Sequence, residues 1–152
     1  MVDIVDKSTR SKMMSGIKGK DTKPEITIRK ALFKMGFRYR IHNTRLPGKP
    51  DIVLPKYHAV ILVNGCFWHG HNCHLFKWPS TRPDFWKAKI CSNIDRDKKN
   101  ISKLHEEGWK TLVIWECALK GKHKQDFNIL IRVVSNWIQF DTESAEIPPV
   151  AL

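Results

Sequence analysis

One stretch of thirteen residues, 64–76, concentrates side chains that bind metals, move protons or stack on bases. It reads NGCFWHGHNCHLF and contains two cysteines, three histidines and three aromatic residues. Cysteine thiolates and imidazoles are ligands that zinc prefers, in tetrahedral sets of four. The composition therefore indicates a metal site, a catalytic loop or a surface that contacts nucleic acid, and these possibilities do not exclude one another.

Four ligands for zinc are available if the fold brings them together. Cys66, His71 and Cys73 lie within eight residues. The fourth ligand is His74 or, as the better candidate, Cys117, because Cys66 and Cys117 each follow a predicted buried strand. If those strands are parallel neighbours, one ion joins their ends, and four protein ligands make the site structural. The alternative is that the cysteines are core residues and the histidines lie on the surface.

His69 and the two aromatic residues before it suggest catalysis and DNA contact in the same stretch. An imidazole that is held rigidly but binds no metal is suited to act as a general base at neutral pH, although most single histidines are structural. Phe67 and Trp68 are adjacent, so in an extended chain they point in opposite directions and at least one is exposed. Exposed rings on a basic protein stack on bases or insert between base pairs. The alternative is that both rings pack over the metal-binding loop.

Three acidic residues occupy positions that favour chemistry. Asp51 begins a predicted strand, where its carboxylate and nearby carbonyl oxygens form a pocket suited to Mg²⁺, unless Pro50 and Asp51 only make a turn. Glu25 lies in the first turn of a predicted helix, where it supports such a pocket or merely interacts with the helix dipole. Asp97 falls on the apolar face of a long predicted helix, where a carboxylate is either paired in a salt bridge or functional.

The elements that position these residues alternate between helix and strand. The predicted helices cover 24–35, 83–107 and 125–140, and the predicted strands cover 38–42, 51–54, 59–63 and 111–115. The uninterrupted apolar run AVILV at 59–63 predicts a strand that is covered on both faces. Cys91 lies near Ile90 and Ile94 of the second helix and is predicted to be a buried thiol. Strands that alternate with long helices predict an α/β fold around a mixed sheet.

The charge of the chain indicates its partner. Its 152 residues include 27 Lys and Arg against 15 Asp and Glu, and the net charge of +12 favours nucleic acid over an anionic membrane surface. Residues 1–22 contain clustered basic side chains and are predicted to form a flexible arm along a phosphate backbone. We find no apolar run of signal-peptide or membrane-span length, so we expect a soluble, intracellular protein with a single domain over 1–152.

Several of these motifs occur together in one known family. The chain resembles the Vsr, or very-short-patch-repair, DNA mismatch endonucleases in the stretches DKSTRSKMMSGIKGKDTKPE, LPGKPDIVLP, NGCFWHGHNC, TRPDFW with NIDRDKKN, and GWKTLVIWECAL. The resemblance implies a restriction-endonuclease-like α/β fold, in which helices flank a mixed sheet and a zinc ion is structural. It also implies an enzyme that nicks one strand of duplex DNA beside the thymine of a T:G mismatch and initiates very short patch repair.

The resemblance also assigns roles to individual residues. It implies that the zinc ligands are Cys66, His71, Cys73 and Cys117. It places the catalytic Mg²⁺ on the Asp51 carboxylate and the backbone oxygen of Val63. It makes His69 the general base, supported by Glu25 and Asp97. The residues implied to insert into DNA are Phe67, Trp68 and Trp86, with Met14 entering the other groove from the arm.

Base recognition and the leaving-group acid depend on residues with weaker signals. Lys89 and Asn93 lie one helical turn apart beside the expected wedge, and we expect them to read bases. The second strand lacks the acid and the lysine of the wider nuclease superfamily, and the resemblance implies that His69 takes the place of the lysine. Asn64 stands where relatives often have histidine, so no side chain is assigned as the leaving-group acid.

Two other functions and several cellular properties follow as expectations. One alternative is a zinc-stabilised DNA-binding module without enzymatic activity, and the other is a restriction endonuclease that cuts matched duplex. We expect a monomer, because nicking one strand needs only one active site. The expected location is the bacterial cytoplasm at the nucleoid, with mismatched double-stranded DNA as substrate, other repair proteins as further partners and no membrane contact.

Overall fold

The computed structural model describes residues 22–149. Within that range the chain forms α1 (Lys23–Lys34), β1 (Ile52–Leu54), β2 (Ala59–Asn64), α2 (Pro83–Glu106), β3 (Lys110–Trp115), α3 (Phe127–Phe140) and β4 (Ala145–Ile147). The three predicted helices and three of the four predicted strands are confirmed to within a few residues. The strand predicted at 38–42 is reduced to a single bridge between Arg40 and Val53. The sequence pattern does not predict β4.

The four strands form one mixed sheet in the order β1-β2-β3-β4. β1 is antiparallel to β2, whereas β2, β3 and β4 are parallel to one another. The last residues of β2 and β3 are paired, Val63 with Ile114 and Asn64 with Trp115. The chain therefore leaves the sheet at two adjacent points, which brings the two cysteine-containing segments side by side as predicted.

Helices cover both faces of the sheet. On one face, Leu32 of α1 and Val134 of α3 are buried in the same cluster as Ile61 of β2. On the other face, Leu104 of α2 is buried with Val60 of β2. Successive residues of a strand point to opposite faces, which is why adjacent residues of β2 belong to different layers. This three-layer arrangement confirms the predicted α/β fold, with helices flanking a mixed sheet.

Helix α2, with 24 residues, is apolar on one side only. Ile90 and Leu104 are fully buried, whereas Cys91 is exposed. The prediction of a buried Cys91 thiol is therefore wrong, because the residue after Ile90 is turned by about 100° around the helix axis. No helix within residues 22–149 is both long and apolar enough to cross a membrane.

Candidate active site and metal centre

The loop between β2 and α2 folds into consecutive tight turns. Backbone hydrogen bonds join His69 N to Gly65 O at 3.3 Å and Gly70 N to Phe67 O at 3.2 Å. The rings of Phe67 and Trp68 make an edge-to-face contact with centroids 5.2 Å apart. The prediction that these two side chains point in opposite directions is therefore wrong, because it assumed an extended chain.

Four metal-ligating side chains converge where β2 and β3 end. One ligand atom from each of Cys66, His71, Cys73 and Cys117 lies within 4.8 Å of the others, and His74 is outside this group. The Nδ1 atom of His71 is 3.6 Å from the Sγ atoms of both Cys66 and Cys117. In a tetrahedral zinc site, bonds of about 2.3 Å to sulfur and about 2.0 Å to nitrogen separate the two ligand atoms by about 3.6 Å. The donor set and its spacing thus fit zinc.

Burial determines the charge state of these ligand side chains. It raises the pKa of the Cys66 and Cys117 thiols. It lowers the pKa of His71, which favours a neutral imidazole. The His71 ring stacks on Trp115, with centroids 4.1 Å apart and an interplanar angle of 8°. Burial therefore favours neutral thiols in the absence of a metal, and the thiolates that form when a metal binds have their charge balanced by the cation.

Helix α2 fixes three consecutive residues of the loop from one face. Asn93 Nδ2 donates a hydrogen bond to the Trp68 carbonyl oxygen at 2.8 Å. One turn further along, Asp97 Oδ2 lies 2.6 Å from His69 Nδ1, and these side chains are 29% and 30% exposed. Gly70 adopts φ +61° so close to the helix that a Cβ atom would lie 2.6 Å from a helix side chain. The position of Asp97 on the apolar face is explained by its pairing with the imidazole.

A cleft of about 750 Å³ brings the predicted catalytic residues together. Asp51, Glu25 and Val63 line it together with His69 and Asp97. The Val63 amide donates a hydrogen bond to Asp51 Oδ2 at 2.6 Å. Burial is the main cause that raises the pKa of Asp51 to about 7, and the charge and hydrogen bond of Glu25 add to it. Two neighbouring carboxyl groups in a partly buried cleft are stabilised by a cation, which fits a Mg²⁺ site.

The three aromatic residues expected to insert into DNA form one packed group, called here the aromatic wedge (Phe67, Trp68 and Trp86). Phe67 lies 5.4 Å from Trp86, and Trp68 lies 6.0 Å from Trp86, measured between ring centroids. All three side chains are half-buried, and Trp68 lines the cleft. The rings therefore pack together and still reach the surface beside the predicted catalytic residues.

Known proteins are similar to this chain in sequence and in fold. The family model for DNA mismatch endonuclease Vsr matches residues 2–75. The chain is 44% identical over 147 residues to DNA mismatch endonuclease Vsr of Escherichia coli strain K12, covering 97% of this chain and 94% of that protein. The chain belongs to the Vsr family. It is also 46% identical over 138 residues to the type II nicking enzyme V.NmeAIP of Neisseria meningitidis serogroup A, covering 90% of this chain and 99% of that enzyme.

Vsr membership makes the chain an endonuclease, which disfavours the alternative of a DNA-binding module without activity. A solved structure agrees with the fold. The catalytic domain of the homing endonuclease I-Bth0305I matches with a TM-score of 0.51 and 23% identity, over 78% of this chain and 96% of that domain. The restriction-endonuclease-like sheet expected from the Vsr resemblance is therefore confirmed.

Some of the remaining residues discussed in the sequence analysis line the cleft, and others lie outside the described part of the chain. Lys89, Asn93 and Asn64 all line the cleft. Asn93 also holds the wedge backbone, a role that the sequence did not suggest. Met14 lies outside the described residues, together with the arm up to residue 21. Thr22 precedes α1, but its hydroxyl donates to Glu25 at 3.1 Å and makes no capping hydrogen bond.

Two acidic residues near the cysteine–histidine cluster are not predicted from the sequence. Glu116 Oε1 accepts a hydrogen bond from the Cys66 amide at 3.3 Å, and the residue lines the cleft. Glu146 of β4 accepts from Trp115 Nε1 at 3.5 Å, and its charge acts on His71. Glu116 could have been found from its place between motif residues in WECAL. Glu146 has no such signal, because only tertiary pairing brings β4 to this end of the sheet.

Proposed function

We propose that the chain nicks one strand of duplex DNA beside the thymine of a T:G mismatch and thereby initiates very short patch repair. Its similarity to the E. coli mismatch endonuclease over nearly the whole chain supports the proposal. The main support for this proposal is the set of residues that line one cleft. There the His69–Asp97 pair lies with Asp51 and Glu25, next to Trp68 of the aromatic wedge. A hydrolytic site beside inserting rings suits an enzyme that cuts where base stacking is weak.

His69 acts as the general base in this proposal. The contact of 2.6 Å with Asp97 orients the imidazole and keeps a proton on Nδ1. The Nε2 atom is then the one that accepts a proton from the attacking water. Asp97 is a positioning residue, because it acts through the imidazole.

Asp51 and the backbone oxygen of Val63 hold a catalytic Mg²⁺ in the same proposal, and Glu25 supports the site through its contact with Asp51. Mg²⁺ held by these groups would supply positive charge that stabilises the negative charge on the scissile phosphate in the transition state. Asn64 lines the cleft, but its amide is not an acid at neutral pH, so water and not residue 64 would donate the proton to the leaving oxygen.

The metal in the cysteine–histidine cluster is zinc in this proposal. Cys66 follows β2 and Cys117 follows β3, so zinc bound by them with His71 and Cys73 joins two neighbouring strand ends. A site with four protein ligands has no open coordination position and is structural. The zinc therefore fixes the loop that carries His69.

Selectivity for mismatches comes from the aromatic wedge. Separating two stacked base pairs costs a few kcal/mol, and less at a mismatch, so insertion of the rings favours weakened pairs. Lys89 and Asn93 read bases from the cleft, and Met14 contacts the opposite groove. Basic residues of the arm contact phosphates without reading sequence.

The test is a nicking assay on a labelled T:G duplex and on a perfectly paired control. We expect one strand of the T:G duplex to be nicked with Mg²⁺, no nicking with EDTA, and recovery when Mg²⁺ is added back. His69→Ala should lower the nicking rate and leave DNA affinity largely intact. Cutting of the paired control at the same rate would favour the restriction-endonuclease alternative. Binding without cutting would favour a DNA-binding module.

We also propose a domain organisation, an oligomeric state and a cellular location for the protein. We infer one endonuclease domain over 1–152, with residues 1–22 as its DNA-contacting arm, that acts as a monomer. Its substrate is mismatched double-stranded DNA of the bacterial nucleoid in the cytoplasm, and other repair proteins complete the repair. Sedimentation of the protein with and without a T:G duplex tests the monomer.

A further inference from the structure

The start of α1 has the sequence of a helix cap but not its hydrogen bonds. Residues 22–25 read TKPE, with Thr22 just before the helix and Glu25 in its first turn. A threonine followed three residues later by a glutamate is typical of a capping box. In that motif the threonine oxygen accepts a hydrogen bond from the glutamate amide, and the glutamate carboxylate accepts one from the threonine amide. The Thr22 side chain makes no capping hydrogen bond.

The Thr22 hydroxyl contacts the Glu25 carboxylate instead. Its Oγ1 atom donates to Glu25 Oε1 at 3.1 Å in a partly buried contact. The fold does make a conventional cap elsewhere, because Asp126 at the start of α3 accepts from the Ile129 amide at 3.1 Å. Pro24 has no N–H group, so the first turn of α1 has one donor fewer that needs a cap. A cap sequence whose hydroxyl is used for another contact indicates another role at this position.

Glu25 connects Thr22 to the residue that we propose binds Mg²⁺. Thr22, Glu25 and Asp51 all line the same cleft. The Asp51 carboxyl group interacts with Glu25 both through a hydrogen bond and through charge. One hydroxyl and two carboxyl groups therefore form a continuous series of polar contacts from the start of α1 to the residue just before β1. A change at Thr22 reaches Asp51 through a single side chain.

The Glu25 side chain needs groups that hold it in place. It is only 5% exposed, and two carboxylates that share a site repel each other. A hydroxyl that donates to a carboxylate limits the rotation of that side chain and compensates part of the cost of its burial. Thr22 supplies such a hydroxyl from the outer side of the pair formed by Glu25 and Asp51.

We infer that Thr22 is a positioning residue for the proposed Mg²⁺ site and acts through the Glu25 carboxylate, a role that rests on the proposed function for the identity of the metal. Thr22 is not itself a ligand. Its hydroxyl keeps the Glu25 carboxylate beside Asp51, so that less reorganisation is needed when the cation binds. Residues that orient the side chains around a metal in this way increase the affinity for the metal.

Isothermal titration calorimetry of the full-length, zinc-loaded protein with Mg²⁺ tests this role without DNA or cleavage. Thr22→Val replaces the hydroxyl by a methyl group of similar size. We expect it to raise the dissociation constant for Mg²⁺ by about three-fold or more. Thr22→Ser keeps a hydroxyl and should bind Mg²⁺ nearly as tightly as the wild type. An unchanged dissociation constant in Thr22→Val would overturn the inference.

The matched control is Thr27→Val, which makes the same chemical change on the same helix. The Thr27 hydroxyl donates to the Lys23 carbonyl oxygen at 2.9 Å in an exposed contact, so its loss should leave the affinity for Mg²⁺ within about 1.5-fold. Thermal melts should show that all variants are folded.

A double variant separates the proposed role from a purely local one at the helix start. In a Glu25→Ala background, Thr22→Val should cause no further loss of Mg²⁺ affinity, because the hydroxyl acts through the missing carboxylate. A hydroxyl that only stabilises the start of α1 would instead cause the same loss in both backgrounds. Losses of equal size would therefore overturn the inference.

Nicking of the T:G duplex at several Mg²⁺ concentrations separates this role from the proposed function. Thr22→Val should need more Mg²⁺ but approach the wild-type rate at saturation, whereas His69→Ala should stay slow. If Thr22→Val weakens Mg²⁺ binding but the wild type does not nick, the proposed function fails and the role of Thr22 stands. If the wild type nicks and Thr22→Val binds Mg²⁺ normally, only the role of Thr22 fails. Absence of Mg²⁺ binding by the wild type would overturn the Mg²⁺ site and the role of Thr22 together.

Discussion

At the cleft, the proposed contributions of single side chains to turnover and to DNA binding can be separated. The contact of 2.6 Å between Asp97 Oδ2 and His69 Nδ1 is the clearest example. A carboxylate in that position accepts a hydrogen bond from Nδ1–H, which leaves Nε2 of the neutral imidazole unprotonated. An amide in its place can instead donate to Nδ1 and favour the wrong tautomer. The pair therefore predicts a defect in turnover that is separate from DNA binding.

Asp97→Asn should lower the single-turnover nicking rate by about 100-fold or more, with DNA affinity changed by less than about two-fold. Single-turnover kinetics and anisotropy on a T:G duplex measure the two quantities. The matched control is Asp95→Asn, an exposed carboxylate on the same helix that should nick normally. The double variant with His69→Ala should be no slower than His69→Ala alone, because both changes remove one unit. Additive losses would mean that Asp97 acts independently of the imidazole.

The Asp51 carboxyl group predicts a dependence of stability on pH. Burial and Glu25 raise its pKa from 3.8 to about 7, so the folded protein binds this proton more tightly than the unfolded chain. The contribution of Asp51 to the free energy of unfolding is therefore present below about pH 4 and is lost as the pH rises through about 7. A cation on Asp51 takes the place of the proton and should restore stability at high pH.

In buffer without Mg²⁺ at pH 8, Asp51→Asn should be more stable than the wild type by roughly 2 kcal/mol, because an amide carries no charge to bury. The difference should shrink towards pH 4. Urea denaturation at several pH values measures it. Addition of Mg²⁺ should raise the melting temperature of the wild type and not that of the variant. A less stable variant at pH 8 would show that the carboxylate is well accommodated without a cation.

At the scale of elements, α2 is the part that holds the catalytic loop, and Gly70 is the closest point of approach. A Cβ atom at Gly70 would lie 2.6 Å from Ile94 Cδ1 and 2.9 Å from Ile90 Cγ2. Gly70→Ala should therefore destabilise the protein by about 1–3 kcal/mol more than a glycine change that alters only backbone strain. It should also slow nicking, because the same displacement moves His69 away from Asp97. Urea denaturation and the nicking assay measure the two effects.

Gly36 provides the matched control for that change. It has φ +100° and nothing within 4 Å of an added Cβ atom, so Gly36→Ala carries the cost of the backbone conformation alone. Truncation of Ile94 to alanine in the Gly70→Ala background should recover part of the nicking rate. Equal destabilisation by the two glycine changes would mean that the loop does not depend on close packing against α2.

The elements that the sequence predicts are those with long local patterns, and the ones it misses depend on distant contacts. The run AVILV and the spacing along α3 give β2 and α3 directly. β4 has only three residues and exists because Ala145 and Ile147 pair with β3. The four metal-ligating residues are predictable because strand order places Cys66 and Cys117 together. The contact between Phe67 and Trp68 is not, because it depends on turns that no local pattern specifies.

At the scale of the whole molecule, the cysteine–histidine cluster connects the sheet to the loop that we propose carries the general base and part of the aromatic wedge. Cys66 and Cys117 continue from paired strands, and the loop between Cys66 and Cys73 carries His69 and the front of the wedge. The neutral thiols favoured by burial lose their protons when a metal binds, so the binding free energy contributes directly to the stability of the fold. Loss of the metal should therefore disturb catalysis, wedge and fold together.

We expect the wild type to hold one zinc ion per chain and Cys117→Ser to bind less. The variant should lose several kcal/mol of stability, equivalent to a fall in melting temperature of about 10 °C or more. Affinity for the T:G duplex and nicking should fall together, in contrast to Asp97→Asn, which loses only turnover. Cys91→Ser, a change of an exposed thiol, is the matched control and should alter none of these quantities. Elemental analysis, thermal melts, anisotropy and the nicking assay measure them. Loss of a structural metal must lower the stability of the protein. If Cys117→Ser melts like the wild type but cannot nick, the cluster therefore has a catalytic role and not a structural one.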